Sequence, residues 1–369
     1  MNMYGFIGVG QGGTSVVSLA SKLGYPSVAI NFSQKDLDGC KEIQNENKLC
    51  LIGSEGVGRD RNEALRLMNF NWERVVSFIE ERFSHPSIKI IFIAFSTGGG
   101  TGSGSSPMII ELLKHKLGKV IVACPILPDL TEVTINQLNT LDVFSELSNL
   151  QTCILPIDNQ KANSNLNKHT KYMEINCKFI NQIHQLLKYT REESSISNLD
   201  ERDLLTIFDT DGLAIIGDIN VTEESKFEDE QWIYEKTKQS WLCSIYIEPE
   251  MKKVIKAGVI FDYDSKTISN THSNRLFRHF DFGEPINLFE GYYSTGASKI
   301  ITICSGLSWC ETRLKQIEQK IHSDESRIKS TLQPEKRYRP DLDISLFNKK
   351  EQKTQEKRSI TEILTRYQR

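Results

Sequence analysis

Apolar residues along this chain fall into two kinds of run, and their alternation through the first half is its clearest structural signal. Ile88-Lys89-Ile90-Ile91-Phe92-Ile93-Ala94-Phe95 is continuous but for one Lys, as a strand buried on both faces should be. Similar runs predict strands over about 4–9, 26–31, 119–124 and 152–157. Between them, helical spacing predicts helices over about 13–23, 60–83, 105–117 and 133–149. Strands alternating with helices at this interval predict a Rossmann-like parallel α/β sheet. A long helix near 166–189 carries Ile175, Phe179, Ile183 and Leu187 on one face, suited to connect two domains. Beyond Asp200, strands over about 213–218, 242–247, 255–261 and 299–304, with helical material between, predict a second α/β domain with a mixed sheet. Leu314, Ile317, Ile321, Ile328 and Leu332 then mark the apolar face of a C-terminal helix expected to dock back on the body.

The partition expected from this pattern is a nucleotide-binding domain over 1–165, a connecting helix over 166–190 and a second domain over 191–307. The C-terminal helix over 308–334 and a flexible basic tail over 335–369 follow. Within the tail, 349–369 holds seven Lys/Arg against three Glu, and Ile360, Ile363, Leu364 and Tyr367 lie on one helical face. That combination predicts a disordered segment ending in a short helix that folds onto a partner.

Composition narrows the classes. At 369 residues the chain can bury a sizeable core, and a net charge of −3 supplies no global basicity for nucleic acid, so any DNA or membrane contact is local or indirect. The eight cysteines form no CxxC pair and no metal-ligand spacing, which favours reduced, buried thiols. Tyr4-Gly5-Phe6-Ile7-Gly8 follows the start with no basic n-region, and no apolar stretch is long enough to span a bilayer. The expectation is a soluble cytoplasmic protein without a transmembrane segment.

Gly98-Gly99-Gly100-Thr101-Gly102-Ser103-Gly104 carries the chemistry. It lies between the apolar run ending at Phe95 and a helix entered through Ser105-Ser106-Pro107. Glycines let the backbone approach a ligand without a Cβ in the way, and their N–H groups together with those of the helix start make an anion site. Thr101 and Ser103 add hydroxyl donors. The plain alternative is a flexible linker, which a buried strand and a helix on either side oppose.

A second cluster, Gly8-Val9-Gly10-Gln11-Gly12-Gly13, fits GxGxxG and raises a nicotinamide- or flavin-dependent oxidoreductase. That reading needs an acidic residue at the end of the second strand, where this chain has Asn31. A third loop, Gly53-Ser54-Glu55-Gly56-Val57-Gly58-Arg59, adds more N–H groups and a guanidinium. Three glycine-bearing segments suit a nucleoside triphosphate, and no GxxxxGK[ST] is present.

With GGGTGSG at 98–104 and the order of these loops, the chain over roughly 3–310 resembles the tubulin/FtsZ superfamily of filament-forming GTPases. The resemblance implies that Gly10, Gln11, Gly12 and Gly13 contact the α- and β-phosphates of GTP or GDP. It implies that Gly98, Gly99, Gly100, Thr101, Gly102, Ser103 and Gly104 close on the β- and γ-phosphates, and that Gly56, Gly58 and Arg59 sense the γ-phosphate. Asn31 would sit beside the nucleotide. Tyr172 and Asn176, one helical turn apart, resemble the aromatic residue that stacks on guanine and the amide that reads its edge, since an amide can both donate to and accept from guanine. Asp129 falls where the family often has an acidic ribose contact, with Glu132 as the substitute.

Asn198-Leu199-Asp200-Glu201-Arg202-Asp203 reads on its own as a helix N-terminus, where acidic residues cap and complement the dipole. It also resembles the family's catalytic loop, in which Asp200 and Asp203 would act on the GTP of the next subunit in a head-to-tail polymer. Mg2+ would arrive with the triphosphate, and no side chain is assigned as its ligand. The long C-terminal helix and basic end most resemble the TubZ-type plasmid and phage segregation proteins, implying a DNA-bound adaptor as partner and possible direct DNA contact by the tail. Asp341-Leu342-Asp343-Ile344-Ser345-Leu346-Phe347 faintly resembles instead the tail peptide of FtsZ, a division-filament alternative.

Overall fold

In the computed structural model, residues 3–162, 165–221, 230–263 and 271–332 are described. The first half supplies β1 (Tyr4–Val9), β2 (Ser27–Asn31), β3 (Lys48–Cys50), β4 (Ile90–Ser96), β5 (Val120–Leu127), β6 (Cys153–Ile154) and β7 (Ile157–Asp158). The second supplies β8 (Gly212–Asn220), β9 (Lys256–Asp262), β10 (Asn287–Tyr293) and β11 (Lys299–Leu307). Together they form one sheet in the order β10-β9-β11-β8-β6-β5-β4-β1-β2-β3, with β7 beside β5. All pairs are parallel except those of β11, which runs antiparallel to β8 and β9, so the sheet is mixed as expected.

The helices are α1 (Gly10–Lys22), α2 (Gln34–Asp38), α3 (Arg61–Phe83), α4 (Gly100–Leu117), α5 (Thr134–Leu147), α6 (Lys168–Tyr189), α7 (Glu201–Phe208), α8 (Glu230–Leu242) and α9 (Glu311–Leu332). β1 and β4 bury nearly every residue, which explains why their sequences are apolar without alternation. The carboxyl ends of β1, β2, β4 and β5, at Val9, Asn31, Ser96 and Leu127, define an upper edge of the sheet. Tyr4, Ile90, Val120, Gly212 and Lys256 begin their strands at the lower edge.

The two halves share this sheet through the β6–β8 pair, Cys153 with Gly212 and Ile154 with Leu213. α6 touches both. Its His184 Nδ1 meets Tyr25 Oη at 2.8 Å, and its Gln182 accepts from Tyr246 Oη at 3.0 Å while donating to Asp218 at 2.9 Å. Tyr189 closes the helix by donating to the buried Asp262. Residues up to Glu325 make one compact unit, and the end of α9 belongs to another.

α9 is anchored by a residue the sequence pattern did not single out. Arg313, 6% exposed, donates to both oxygens of Asp158 at 2.8 and 3.1 Å and to the Pro128 carbonyl at 3.0 Å. Further along, Asp324 accepts from Thr134 Oγ1 at 3.0 Å.

Several expectations change. Most of the glycine run is helical, because α4 begins at Gly100 and residues 100–107 are all buried; Pro107 therefore lies inside the helix and not at its first turn. The expected strand at 242–247 is absent: Tyr246 makes an isolated bridge to Ile157, and the apolar side chains there are buried without a ladder. The strand expected over 152–157 is split around Pro156, which has no N–H to give. Short α2 and β3 and the edge strand β10 were not anticipated. On α9, Ile317 is buried, whereas Ile328 and Leu332 are exposed. The tail helix near 360–367 lies outside the described residues.

Candidate nucleotide site

Three helices, α1, α4 and α5, start at the upper edge without a side-chain cap, and the first two open on one cleft. Asp60, Asn167 and Asp200 cap α3, α6 and α7 with their side chains. α1 and α4 follow Val9 and Gly99 with no side-chain cap and no acidic residue in the first turn. Their free N–H groups and positive dipole ends therefore face the same cleft, which is an arrangement for anions. Gly10 takes φ +69°, and a Cβ there would stand 3.0 Å from Gly102 N; a Cβ on Gly102 would lie 2.7 Å from the Ser96 carbonyl oxygen. The two glycine segments thus touch backbone to backbone, which side chains would prevent.

The cleft holds about 560 Å³ and brings together most of the residues singled out from sequence. Gly10, Gln11, Gly12, Gly99, Gly100, Thr101 and Gly102 line its wall, together with Gly56, Gly58, Arg59, Asn31, Tyr172 and Asn176. Gly13, Gly98, Ser103 and Gly104 do not reach it. A Cβ on Gly13 would fall 2.0 Å from the Ala94 carbonyl oxygen and one on Gly104 2.4 Å from that of Arg61, while Ser103 Oγ donates back to the Gly99 carbonyl. These residues sit in the packing beneath the wall. Asn31 donates to Asp36 at 3.2 Å and accepts from Ser33 N, fixing the turn that follows β2.

Sequence reasoning missed Lys168, His169 and Met173, which join Tyr172 and Asn176 on the cleft side of α6. Their spacing of three and four residues from that pair was the available signal.

Asp129 lines an adjoining cavity of about 260 Å³ with Arg59, Glu132, Lys168, Lys171 and Tyr172. Burial raises its carboxyl pKa, but hydrogen bonds from Thr131 and from Lys171 at 3.1 Å outweigh this and hold it below the usual carboxylate value. Tyr172 donates to Glu132 at 2.5 Å, and burial followed by that carboxylate pushes its phenol well above the ordinary value.

Asp200 and Asp203 do not line the cleft of their own subunit. They form a reciprocal capping box on α7, with Asp200 accepting from Arg202 N at 2.7 Å and Asp203 N at 2.9 Å, and Asp203 accepting from Asp200 N at 2.9 Å. α7 lies along the lower edge, where Lys256 Nζ donates to the Thr206 carbonyl and Leu205 borders a groove with Ile88, Lys89 and Lys119. Burial, and then the neighbouring Asp200 charge, raise the Asp203 pKa. Among the described residues no group of three or more His, Cys, Asp or Glu could hold a metal ion. No helix among them is long and apolar enough to cross a membrane.

Comparison with known proteins agrees with this architecture. Residues 5–167 match the profile of the Tubulin/FtsZ family, GTPase domain. The tubulin-like protein CetZ of Pyrococcus horikoshii is 27% identical over 324 residues, 80% of this chain and 87% of that protein. The tubulin-like protein TubZ of Clostridium botulinum C phage is 28% identical over 202 residues, 53% of this chain and 55% of that protein. A GTPγS-form protofilament structure of Bacillus thuringiensis serovar israelensis TubZ shares the fold, with a TM-score of 0.76 at 15% identity over 89% of this chain and 94% of that one. Residues 5–167 thus resemble the GTPase domain of the Tubulin/FtsZ family, within a chain similar along much of its length to a CetZ protein and over about half of it to a TubZ protein.

Proposed function

We propose that this protein binds GTP in the upper-edge cleft, polymerises head to tail, and hydrolyses the nucleotide at sites completed between neighbouring subunits. The observation that carries this reading is the separation of its parts. The uncapped starts of α1 and α4 face one cleft at the upper edge, while the Asp200–Asp203 box sits at the lower edge. A carboxylate pair at the far edge meets a nucleotide only if another subunit supplies it.

On this reading the phosphates rest on the N–H groups of Gly10–Gly12 and Gly99–Gly102, whose positions are preorganised by the close glycine packing. Tyr172 stacks on the base and Asn176 both donates to and accepts from the guanine edge. Gly56, Gly58 and Arg59 lie at the γ-phosphate end. Mg2+ bound to the triphosphate adds charge neutralisation when present. Phosphoryl transfer needs an oriented water and charge stabilisation more than covalent help. Asp200 and Asp203 of the next subunit supply the acceptors that orient that water, giving GDP and phosphate and weakening the joint that assembled them. The domain partition at 165, 190 and 307 belongs to this proposal, with α6 carrying the change between halves.

The narrower part of the proposal is a role in segregating or positioning plasmid or phage DNA in the cytoplasm. It draws on the phage TubZ relative and the basic composition of 335–369, which suits an adaptor's acidic surface or DNA phosphates with strong salt dependence.

Sedimentation with GTP, a slowly hydrolysed analogue and GDP tests the principal claim. Polymer should pellet with GTP, persist longer with the analogue, and be absent with GDP. Asp200→Asn and Asp203→Asn should assemble with GTP yet lose at least tenfold of turnover; full turnover in both removes them from the reaction. Capture of a DNA-binding partner by the whole chain and not by a chain ending at 334 tests the segregation role.

A further inference from the structure

The two most exposed large apolar side chains among the described residues lie four positions apart, Phe282 at 80% and Ile286 at 81%. They stand at the lower edge, on the 281–286 turn that leads into β10. The backbone of this turn is tied down. Asp281 N and Phe282 N donate to the carbonyls of Met251 and Lys252, both at 2.9 Å, and Ile286 N donates to that of Ile255 at 2.8 Å. Phe280, just before it, is buried against Trp241 with ring centroids 5.4 Å apart. A well-held turn that keeps two large apolar side chains in water is the form of a contact surface, not of a loose loop.

At the upper edge, a groove of about 640 Å³ runs between the start of α3 and the first turns of α5. Ile135, Leu138 and Asp142 share one face of α5 by their spacing and line this groove, and both apolar side chains are exposed. Asp60 is committed to capping α3, and Arg61 pairs with Glu146. Arg59 and Asp142 are the exposed charges that remain on the groove. The lower-edge turn carries exposed Asp281 and Glu284, with exposed Lys252 and Lys253 beside it, so each sign on one surface has its opposite on the other.

We propose that the 281–286 turn of one subunit seats in the α3–α5 groove of a second copy, with Phe282 and Ile286 against Ile135 and Leu138. This rests on the head-to-tail reading given above and names the apolar contact that holds the joint. The occupant is a second copy because groove and cleft share Gly58 and Arg59 as a common wall. A subunit whose lower edge covers the cleft therefore covers the groove as well. Turn and groove lie at opposite edges of one sheet, so the contact is heterologous: a subunit that gives its turn keeps its groove open for another, and the array extends without closing on itself as a pair. Because the turn is already held by its own backbone bonds, docking orders little that was free.

The test uses full-length chains carrying Phe282→Cys or Leu138→Cys, treated with a short bismaleimide in the presence of GTP, with wild type reporting the background from exposed Cys243. The two variants mixed should give a crosslinked dimer above that background, and neither should give one alone. A chain carrying both replacements should give a ladder. Separately, Phe282→Asp and Ile286→Asp should each raise the protein concentration needed to pellet with GTP about tenfold, the scale of losing an apolar anchor from an interface, while GDP affinity stays at the wild-type value. Pelleting at the wild-type concentration in both Asp variants overturns the inference and leaves head-to-tail assembly to another contact. Mixed Cys variants that pellet without crosslinking do the same, and so does a Phe282→Cys crosslink formed without its partner variant, which would mean that turn meets turn. Wild type that does not pellet with GTP overturns the head-to-tail reading itself, and the inference with it.

Discussion

Gly99 and Gly104 lie five positions apart in one run and have opposite surroundings. A Cβ on Gly99, whose backbone is extended, would meet nothing within 4 Å, whereas one on Gly104 would lie 2.4 Å from the Arg61 carbonyl oxygen and 2.7 Å from Ala64 Cβ. Gly99 borders the cleft, and Gly104 lets α4 press against α3. Gly104→Ala should therefore cost about 1–3 kcal/mol by overpacking. Gly99→Ala should leave the thermal melt unchanged and alter only nucleotide affinity. Paired melting curves and GDP titrations check both. The sequence made the run conspicuous and tied it to phosphate, but the division of labour within it depends on Arg61, Ala64, Ser96 and Val9, which reach it only through folding. The same is true of Asp129 and Glu132, alike by spacing and separated only by the positions of Lys171 and Tyr172 on another helix.

α9 and α7 show how local signals carry different amounts of information. The apolar spacing of α9 is plain in the sequence, yet what fixes the helix is Arg313 on a buried Asp158 155 residues away, for which no short-range pattern exists. Arg313→Met should leave that carboxylate buried without its cation and cost about 3–5 kcal/mol, as removal of one partner of a buried pair does. Chemical denaturation should show the loss, and Asp158→Asn combined with Arg313→Met should recover part of it. α7 is the reverse case, since its capping box is legible in Asp200-Glu201-Arg202-Asp203 itself. That cap explains why asparagine, another good N-cap, is the substitution that probes chemistry without spending the roughly 0.5–2 kcal/mol a missing cap costs. The strand expected at 242–247 failed because apolar content alone does not distinguish buried loop from ladder. β10 escaped notice because Asn287-Leu288-Phe289-Glu290-Gly291-Tyr292-Tyr293 is an edge strand of mixed character.

The molecule as a whole has chemically distinct ends. At the upper edge, Val133, Ile135 and Leu138 expose apolar side chains beside the cleft-lining Gly58 and Arg59. At the lower edge, Phe282 and Ile286 are 80% and 81% exposed, on a segment hydrogen-bonded to Lys252 and Ile255. Large apolar side chains exposed at both ends favour stacking of subunits end on end. On the proposed reading, nucleotide at one end and carboxylates at the other make such stacking the condition for chemistry. The parallel sheet, the cleft at its carboxyl edge and the acidic helix start were all legible in residue order, whereas their placement at opposite edges came only from the strand registers. The most direct test is the GTP turnover per subunit measured across protein concentrations that bracket assembly. The account predicts negligible turnover in dilute monomer and a steep rise that tracks the pelleted fraction. A rate per subunit that stays constant through dilution to monomer would contradict it.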